Sequence, residues 1–156
     1  MLIQINLQNA LASLFPWALA TQSDRNTMAM KIADAYDSYA HSAENSLGAS
    51  LLTANLVTLK AELIISNIKN PLTQVDPAGE WAIAFTHYWL GPLGPAMFGG
   101  GDSVAAVTGT VVLAADLKIL WDPSALPASF PLAANGLSGA LDKFSHTVTT
   151  AKGPVK

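Results

Sequence analysis

The pattern of apolar and polar residues changes along the chain from a period of two to the period of a helix. Apolar and polar side chains alternate across residues 2–8, which predicts a short strand or an extended arm. Residues 9–19 predict a short helix that Pro16 disturbs. From residue 26 onwards, apolar residues recur three and four positions apart, which predicts amphipathic helices.

Four stretches carry this helical spacing. The first starts at residue 26 and the second covers residues 49–67. The third has a clear beginning, because Asp76 is a good N-cap and Pro77 a good first helical residue. The fourth covers residues 131–146, although Gly136 and a second glycine nearby are unfavourable within a helix.

Residues 103–121 fit two structures. Residues 104–112 are rich in β-branched side chains, which favour a strand. Leu113, Leu117 and Leu120 have helical spacing, and periodicity alone does not decide between the two.

These elements predict a mainly α fold. We expect a bundle of four or five amphipathic helices with one or two short β-strands, and a chain of 156 residues fits a single domain, 1–156. Within it, residues 1–25 would form an N-terminal arm and short helix, residues 26–146 a helical core, and residues 147–156 a polar tail.

Composition points to a protein surface that is covered by other proteins. Charged residues make up 12% of the chain, against about 25% in typical domains, while 51% are hydrophobic. Large apolar surfaces mark sites for partners or membranes. The net charge of −3 and the absence of a basic cluster argue against direct nucleic acid binding, and the lack of cysteine excludes disulfides and thiolate chemistry.

No segment predicts a signal peptide or a membrane span. Residues 1–23 are uncharged, but polar side chains interrupt their first part and no basic residue precedes them. Residues 81–101 are long enough to span a bilayer, yet their Gly-Pro pairs would break a helix there. The apolar run 104–115 is too short.

A weak repeat contains all three histidines. Each follows an aromatic and a small residue late in a helical stretch, at His41, His87 and His146. Two interpretations are open: a duplicated helical unit whose histidines meet around an axis, or separate helix ends at which a histidine suits the helix dipole. We favour the second, because real repeats have a fixed period and this pattern does not.

Motifs for catalysis or metal binding are not recognisable. Asp37 and His41 share a helix face with Asp34 nearby, but two ligands on one helix are more typical of a surface pair. The glycine run at residues 99–103 lacks the Gly-Lys-Ser/Thr ending of a phosphate-binding loop. We therefore expect no enzyme activity, no cofactor and no metal. The central aromatic residues could line an apolar pocket, but we expect them to be core residues or interface anchors.

Two alanine-containing stretches carry a resemblance to a known class. Residues 31–39, and residues 131–137 running into 147–149, resemble small virion structural proteins of tailed bacteriophages, of the neck, tail or baseplate type. The likeness extends over residues 26–149. It implies a non-enzymatic subunit of a symmetric ring or shell in the virion, assembled in the host cytoplasm, with copies of itself and other virion proteins as partners.

The contact elements we predict are the arm 2–8, the loop 89–101 and the tail 147–156. The arm could then add to a neighbour's sheet. Alternative functions are an apolar-ligand-binding module and a membrane-associated helical protein. The candidate interface residues are Leu2, Ile3, Ile5, Leu7, Trp89, Leu90, Phe98 and Val148.

Overall fold

The structure, a computed structural model, describes residues 1–14, 21–68, 76–121 and 130–156. Over these ranges the chain is mostly helical, as predicted, but it has six helices and an antiparallel sheet of five strands, where four or five helices and one or two short strands were expected. The helices are α1 (Gln4–Ser13), α2 (Gln22–Ala40), α3 (Leu56–Ile68), α4 (Pro77–Leu90), α5 (Thr110–Leu120) and α6 (Phe130–Ser145). The strands are β1 (Leu51–Thr53), β2 (Gly94–Pro95), β3 (Met97–Phe98), β4 (Asp102–Val107), β5 (Val148–Thr150) and β6 (Gly153–Pro154).

The prediction of a strand at residues 2–8 is wrong, because α1 begins at Gln4. Leu7 and Leu11 lie one helical turn apart and are both fully buried. Burial of this pair follows the helical period, whereas Ile3 and Ile5, the residues that created the alternation, are exposed. Part of the predicted short helix, residues 15–19, lies outside the described residues.

The structure also decides the other predicted element boundaries, most of which differ from the prediction. Residues 49–67 contain β1 before α3 begins at Leu56. The ambiguous stretch 103–121 holds both structures, with β4 followed by α5. The start of α4 is confirmed: Pro77 is its first residue, and the Asp76 side chain accepts a hydrogen bond from the Gly79 N–H at 2.9 Å. The predicted tail at residues 147–156 is also wrong, because it forms β5 and β6.

The same order of elements occurs three times among the described residues. Two helices are followed by a β-hairpin in residues 1–54, again in residues 55–108, and again in residues 109–156. We call α1, α3 and α5 the leading helices, and α2, α4 and α6 the central helices. Each helix packs on the next one in sequence, and α6 packs on α1, so the six helices form a closed ring.

The leading helices share a pair of buried leucines. In each helix two leucines four positions apart are buried to within 1% of complete burial. The pairs are Leu7 and Leu11, Leu59 and Leu63, and Leu113 and Leu117. The helix–helix–hairpin unit is therefore repeated at the level of side-chain packing as well as topology.

The three hairpins share one backbone hydrogen bond. A residue of the second strand donates its N–H to the carbonyl of a residue in the first strand, and all six residues involved are buried. The bonds are Leu51 to Ala43 at 3.2 Å, Val104 to Ala96 at 2.9 Å, and Val155 to Val148 at 3.0 Å. The two residues joined by this hydrogen bond are therefore buried at the equivalent place in all three hairpins.

The sheet closes on itself. Its strands follow the order β1-β3-β4-β5-β6. Glu44 pairs with Ser50, next to β1, and exchanges two backbone hydrogen bonds with Lys156, next to β6, at 3.0 and 2.9 Å. The hairpins therefore form a small barrel beside the helix ring, and β2 lies outside it, paired with the end of α4.

Candidate functional site

The predicted interface residues fall into two groups. Ile3 and Ile5 are exposed, and Leu90 is half-buried. The other five lie in the core of the chain itself: Leu2, Leu7, Trp89, Phe98 and Val148. Five of the eight candidate residues are therefore core residues, whereas each of the three predicted contact elements, residues 2–8, 89–101 and 147–156, also has exposed positions.

Tyr36 lies where the three central helices meet. Its ring contacts Phe85 and Tyr88 of α4 edge-on, with centroids 4.8 and 5.2 Å apart. Its hydroxyl accepts a hydrogen bond from Trp89 Nε1 at 2.9 Å and lies 2.7 Å from Ser145 Oγ of α6. Because the Ser145 hydroxyl donates to a backbone carbonyl, Tyr36 is the donor in the second bond. Burial raises the pKa of Tyr36, so it remains a neutral hydrogen-bonding group.

Two further tyrosines bind carboxylates of neighbouring helices. Tyr88 donates to Asp37 Oδ1 at 2.7 Å, and Tyr39 donates to Asp142 Oδ1 at 2.5 Å. Burial, followed by the nearby carboxylate, raises the pKa of both phenols. Both tyrosines therefore remain protonated donors that join one central helix to another.

The histidines each pair with a different acid. His41 Nδ1 lies 3.5 Å from Asp37 Oδ2, and His146 Nδ1 lies 3.8 Å from the corresponding oxygen of Asp142. His87 Nδ1 lies 2.8 Å from Glu62 Oε1 of α3. The preference for separate helix ends over a duplicated unit needs correction, because the helix–helix–hairpin unit is repeated in the structure. Each histidine nevertheless pairs with a carboxylate of its own unit. The described residues contain no group of three or more side chains suited to hold a metal ion.

A buried carboxylate lies near the hairpin turns of the barrel. Asp102 Oδ2 accepts a hydrogen bond from Asn45 Nδ2 at 2.8 Å, and both side chains are buried. Burial by itself raises the pKa of the Asp102 carboxyl. The polar contacts with Thr150 and Asn45 and the charge of Lys152 outweigh this effect, so the pKa lies below its usual value. Asp102 is therefore an ionised group that joins two hairpins.

The tryptophans that suggested a ligand pocket pack against other rings. Trp89 is stacked on Phe98, with an angle of 5° between the planes and centroids 6.5 Å apart. Trp81 contacts Trp121 edge-on at 5.1 Å. A depression of about 240 Å³ lies between α5 and α6, but its lining includes none of these rings.

Apolar residues on the outer faces of the leading helices are the candidate interface. At three positions spaced by four residues, α1, α3 and α5 are all exposed. In α3 these positions hold Val57, Ala61 and Ile65, and in α5 they hold Val111, Ala115 and Ile119. We call these two sets the α3 stripe and the α5 stripe.

The aliphatic residues of the stripes are well exposed. Val57 and Ile65 retain 78% and 54% of their surface, and Val111 and Ile119 retain 80% and 67%. The sequence analysis did not predict these stripes, because it assigned a single apolar row, the one that contains the buried leucines, to each helix. The signal was present: α3 and α5 have apolar residues at spacing four on two faces at once.

Comparison with protein families, with curated proteins and with solved structures found no match to this chain. Among the described residues, no helix combines the length and the apolar character that crossing a membrane requires.

Proposed function

We propose that this protein is a non-enzymatic structural subunit of a larger protein assembly that contains several copies of the chain. The observation that carries the proposal is the pair of exposed apolar stripes on α3 and α5. Each exposed aliphatic side chain forgoes roughly 1.5–3 kcal/mol that burial would provide. Two matching rows of such residues are typical of surfaces that a partner covers.

The polar interior supports a structural role. Its tyrosines, carboxylates and serine hydrogen-bond one another between helices, and such networks rigidify a fold when every member is satisfied. The need to hold the central helices together is sufficient to explain why these polar groups lie in the interior.

The particle that we propose is a tailed-phage virion, with the protein in its neck, tail or baseplate. This assignment depends on the resemblance of residues 31–39 and 131–137 to small virion proteins. It makes the partners other virion proteins as well as copies of the chain, and it makes the host cytoplasm the place of assembly. The first alternative, an apolar-ligand-binding module, draws less support, since the central tryptophans contact other rings. The second alternative is a membrane-associated helical protein.

The test is the mass of the full chain in solution, measured by light scattering on a sizing column without detergent over a range of concentrations. We expect a discrete oligomer or assembly that grows with concentration, to be imaged by electron microscopy. A chain that stays monomeric at the highest concentration would overturn the proposal. Binding to liposomes would favour the membrane-associated alternative instead.

A further inference from the structure

We infer that the α3 stripe of one copy binds the α5 stripe of the next, and that this contact closes a ring of about six copies. The inference rests on the proposed function and adds to it the surface, the partner and the geometry.

The two stripes are equivalent by position. Val57 and Val111 each precede the first buried leucine of their helix by two residues. Ala61 and Ala115 follow that leucine by two residues, and an isoleucine follows each alanine by four. The same side chains thus stand in the same order and at the same height in two of the three units.

The charges of α3 and α5 mostly point away from the stripes. Lys60 Nζ lies 2.6 Å from Asp34 Oδ1 of α2, and Glu62 binds His87 of α4. In α5, Asp116 Oδ2 lies 3.0 Å from Lys143 Nζ of α6. Ion pairs within the chain therefore hold these three charged side chains. The fourth charge of the two helices, Lys118 of α5, is exposed beside Ala115 and Ile119 and lies at the edge of an otherwise apolar surface.

An apolar surface of this shape fits a second stripe. Alanine at the centre lets two helices approach closely, since the distance between packed helices depends on the side chains at the contact. In a ring of identically oriented copies, α3 and the neighbouring α5 run parallel. Valine then meets valine, alanine meets alanine and isoleucine meets isoleucine, so the two stripes are in register.

The third leading helix sets the number of contacts. The corresponding positions of α1 hold Ile5, Asn9 and Ser13, and the two polar residues gain nothing from burial against an apolar row. Each copy therefore has two contact faces. Two different faces that bind each other head to tail generate a closed ring when the rotation allows it.

The rotation follows from the ring of helices. Alternate helices of a closed ring of six are related by about one third of a turn, so the α3 and α5 faces diverge by that angle. A planar ring with this angle between its contact faces closes at about six copies.

The experiment uses the absence of cysteine from the chain. Full-length Ala61→Cys and Ala115→Cys chains are prepared separately, mixed and mildly oxidised, and the products are separated on a non-reducing gel. We expect the mixture to give crosslinked dimers and each variant alone to give few. Asn9→Cys, at the corresponding position of α1, is the matched control and is expected to remain uncrosslinked with either partner.

A second measurement covers assembly itself. Light scattering of Ala61→Arg and of Ala115→Arg is expected to show about a sixfold loss of mass relative to the unmodified chain, and Asn9→Arg no loss. Circular dichroism verifies that each variant is folded. An oligomer that survives both arginine variants, or closes at two or three copies, overturns this inference and leaves the proposed function standing. A monomeric unmodified chain overturns both.

Discussion

Tyr36 shows how one hydroxyl holds three helices in place. It is fully buried, accepts from Trp89 of α4 and donates to Ser145 of α6. A buried polar group that loses its partner costs about 1–3 kcal/mol. Through these two hydrogen bonds the hydroxyl fixes the position of α2 relative to α4 and α6.

Removal of this hydroxyl is the first prediction. Tyr36→Phe leaves the Trp89 N–H without its acceptor, and we expect a loss of about 1–3 kcal/mol in the free energy of unfolding, measured by urea denaturation. A double-mutant cycle with Ser145→Ala is the control, because bonded partners are expected to show coupling of about 0.5–3 kcal/mol. Strictly additive effects would contradict the direct bond.

The buried carboxylate of Asp102 is expected to make the free energy of unfolding depend on pH in the acidic range. Its folded-state pKa lies below the ordinary value of 3.8, so its contribution to stability is present above that value and is lost as the pH falls through the folded pKa. We expect the stability difference between the native chain and Asp102→Asn to be constant above about pH 5 and to shrink below about pH 4, as measured by urea denaturation at each pH.

Asp34→Asn is the control for this pH series. Its carboxylate is about half exposed and pairs with Lys60 at the surface, where ion pairs contribute little. A difference that persists unchanged at pH 3 in Asp102→Asn would show that ionisation of Asp102 contributes nothing.

At the scale of elements, the start of α4 is the clearest match between sequence and structure. Asp76 caps the helix, and Pro77 occupies its first turn. We expect Asp76→Ala to lower the free energy of unfolding by about 1 kcal/mol and Asp76→Asn to retain most of it, since asparagine is an equally good cap. Equal losses in both variants, measured by thermal unfolding, would show that charge and not capping is responsible.

The leading helices permit a comparison of equivalent positions. Leu7, Leu59 and Leu113 are each buried at the same place in their units. We expect alanine at any one of them to cost about 2–5 kcal/mol, measured by urea denaturation, with similar losses for all three. Leu47→Ala, at an exposed position outside both stripes, is the control and is expected to change stability by less than about 0.5 kcal/mol. A loss confined to one leucine would contradict the equivalence of the units.

Local signals explain which elements sequence reasoning found. Caps and long amphipathic periods predicted α4 and α6 well, because both signals lie within one stretch of chain. The alternation around Ile3 and Ile5 predicts a strand or extended arm at residues 2–8. The structure is decided instead by the burial of Leu7 and Leu11 of α1, which packs against α2 and α6. Short strands such as β5 and β6 carry too few residues to show a period.

For the whole molecule, the arrangement of the units could not be predicted. The three histidine-containing repeats were visible, but insertions such as residues 90–95, which hold β2 and its turn, remove a fixed period. Closure of the barrel depends on Glu44 and Lys156, which are 112 positions apart in the chain. Pairing between residues so far apart in the chain is not visible in a local sequence pattern. The candidate stripes could not be predicted either, because an apolar row can be recognised as exposed only when the buried face of its helix is known.

Closure of the barrel can be measured by amide hydrogen exchange. The Glu44 and Lys156 amides donate to each other's carbonyls, and we expect them to be protected like the Val104 and Val155 amides within the barrel. Exposed amides such as those of the hairpin turn at Gly100 provide the reference for rapid exchange. Exchange of Glu44 and Lys156 at the reference rate would show that the barrel is open.

The closed barrel also bears on how an apolar chain avoids harmful aggregation. A sheet with free edges offers unpaired N–H and C=O groups on which strands of other molecules can grow into fibrils. Here the two outermost strands of the sheet are joined through Glu44, so the barrel presents no template for fibril growth among the described residues. In the assembly that we propose, such a barrel lets a chain that is 51% hydrophobic reach high local concentrations and leaves contacts between copies to its helices.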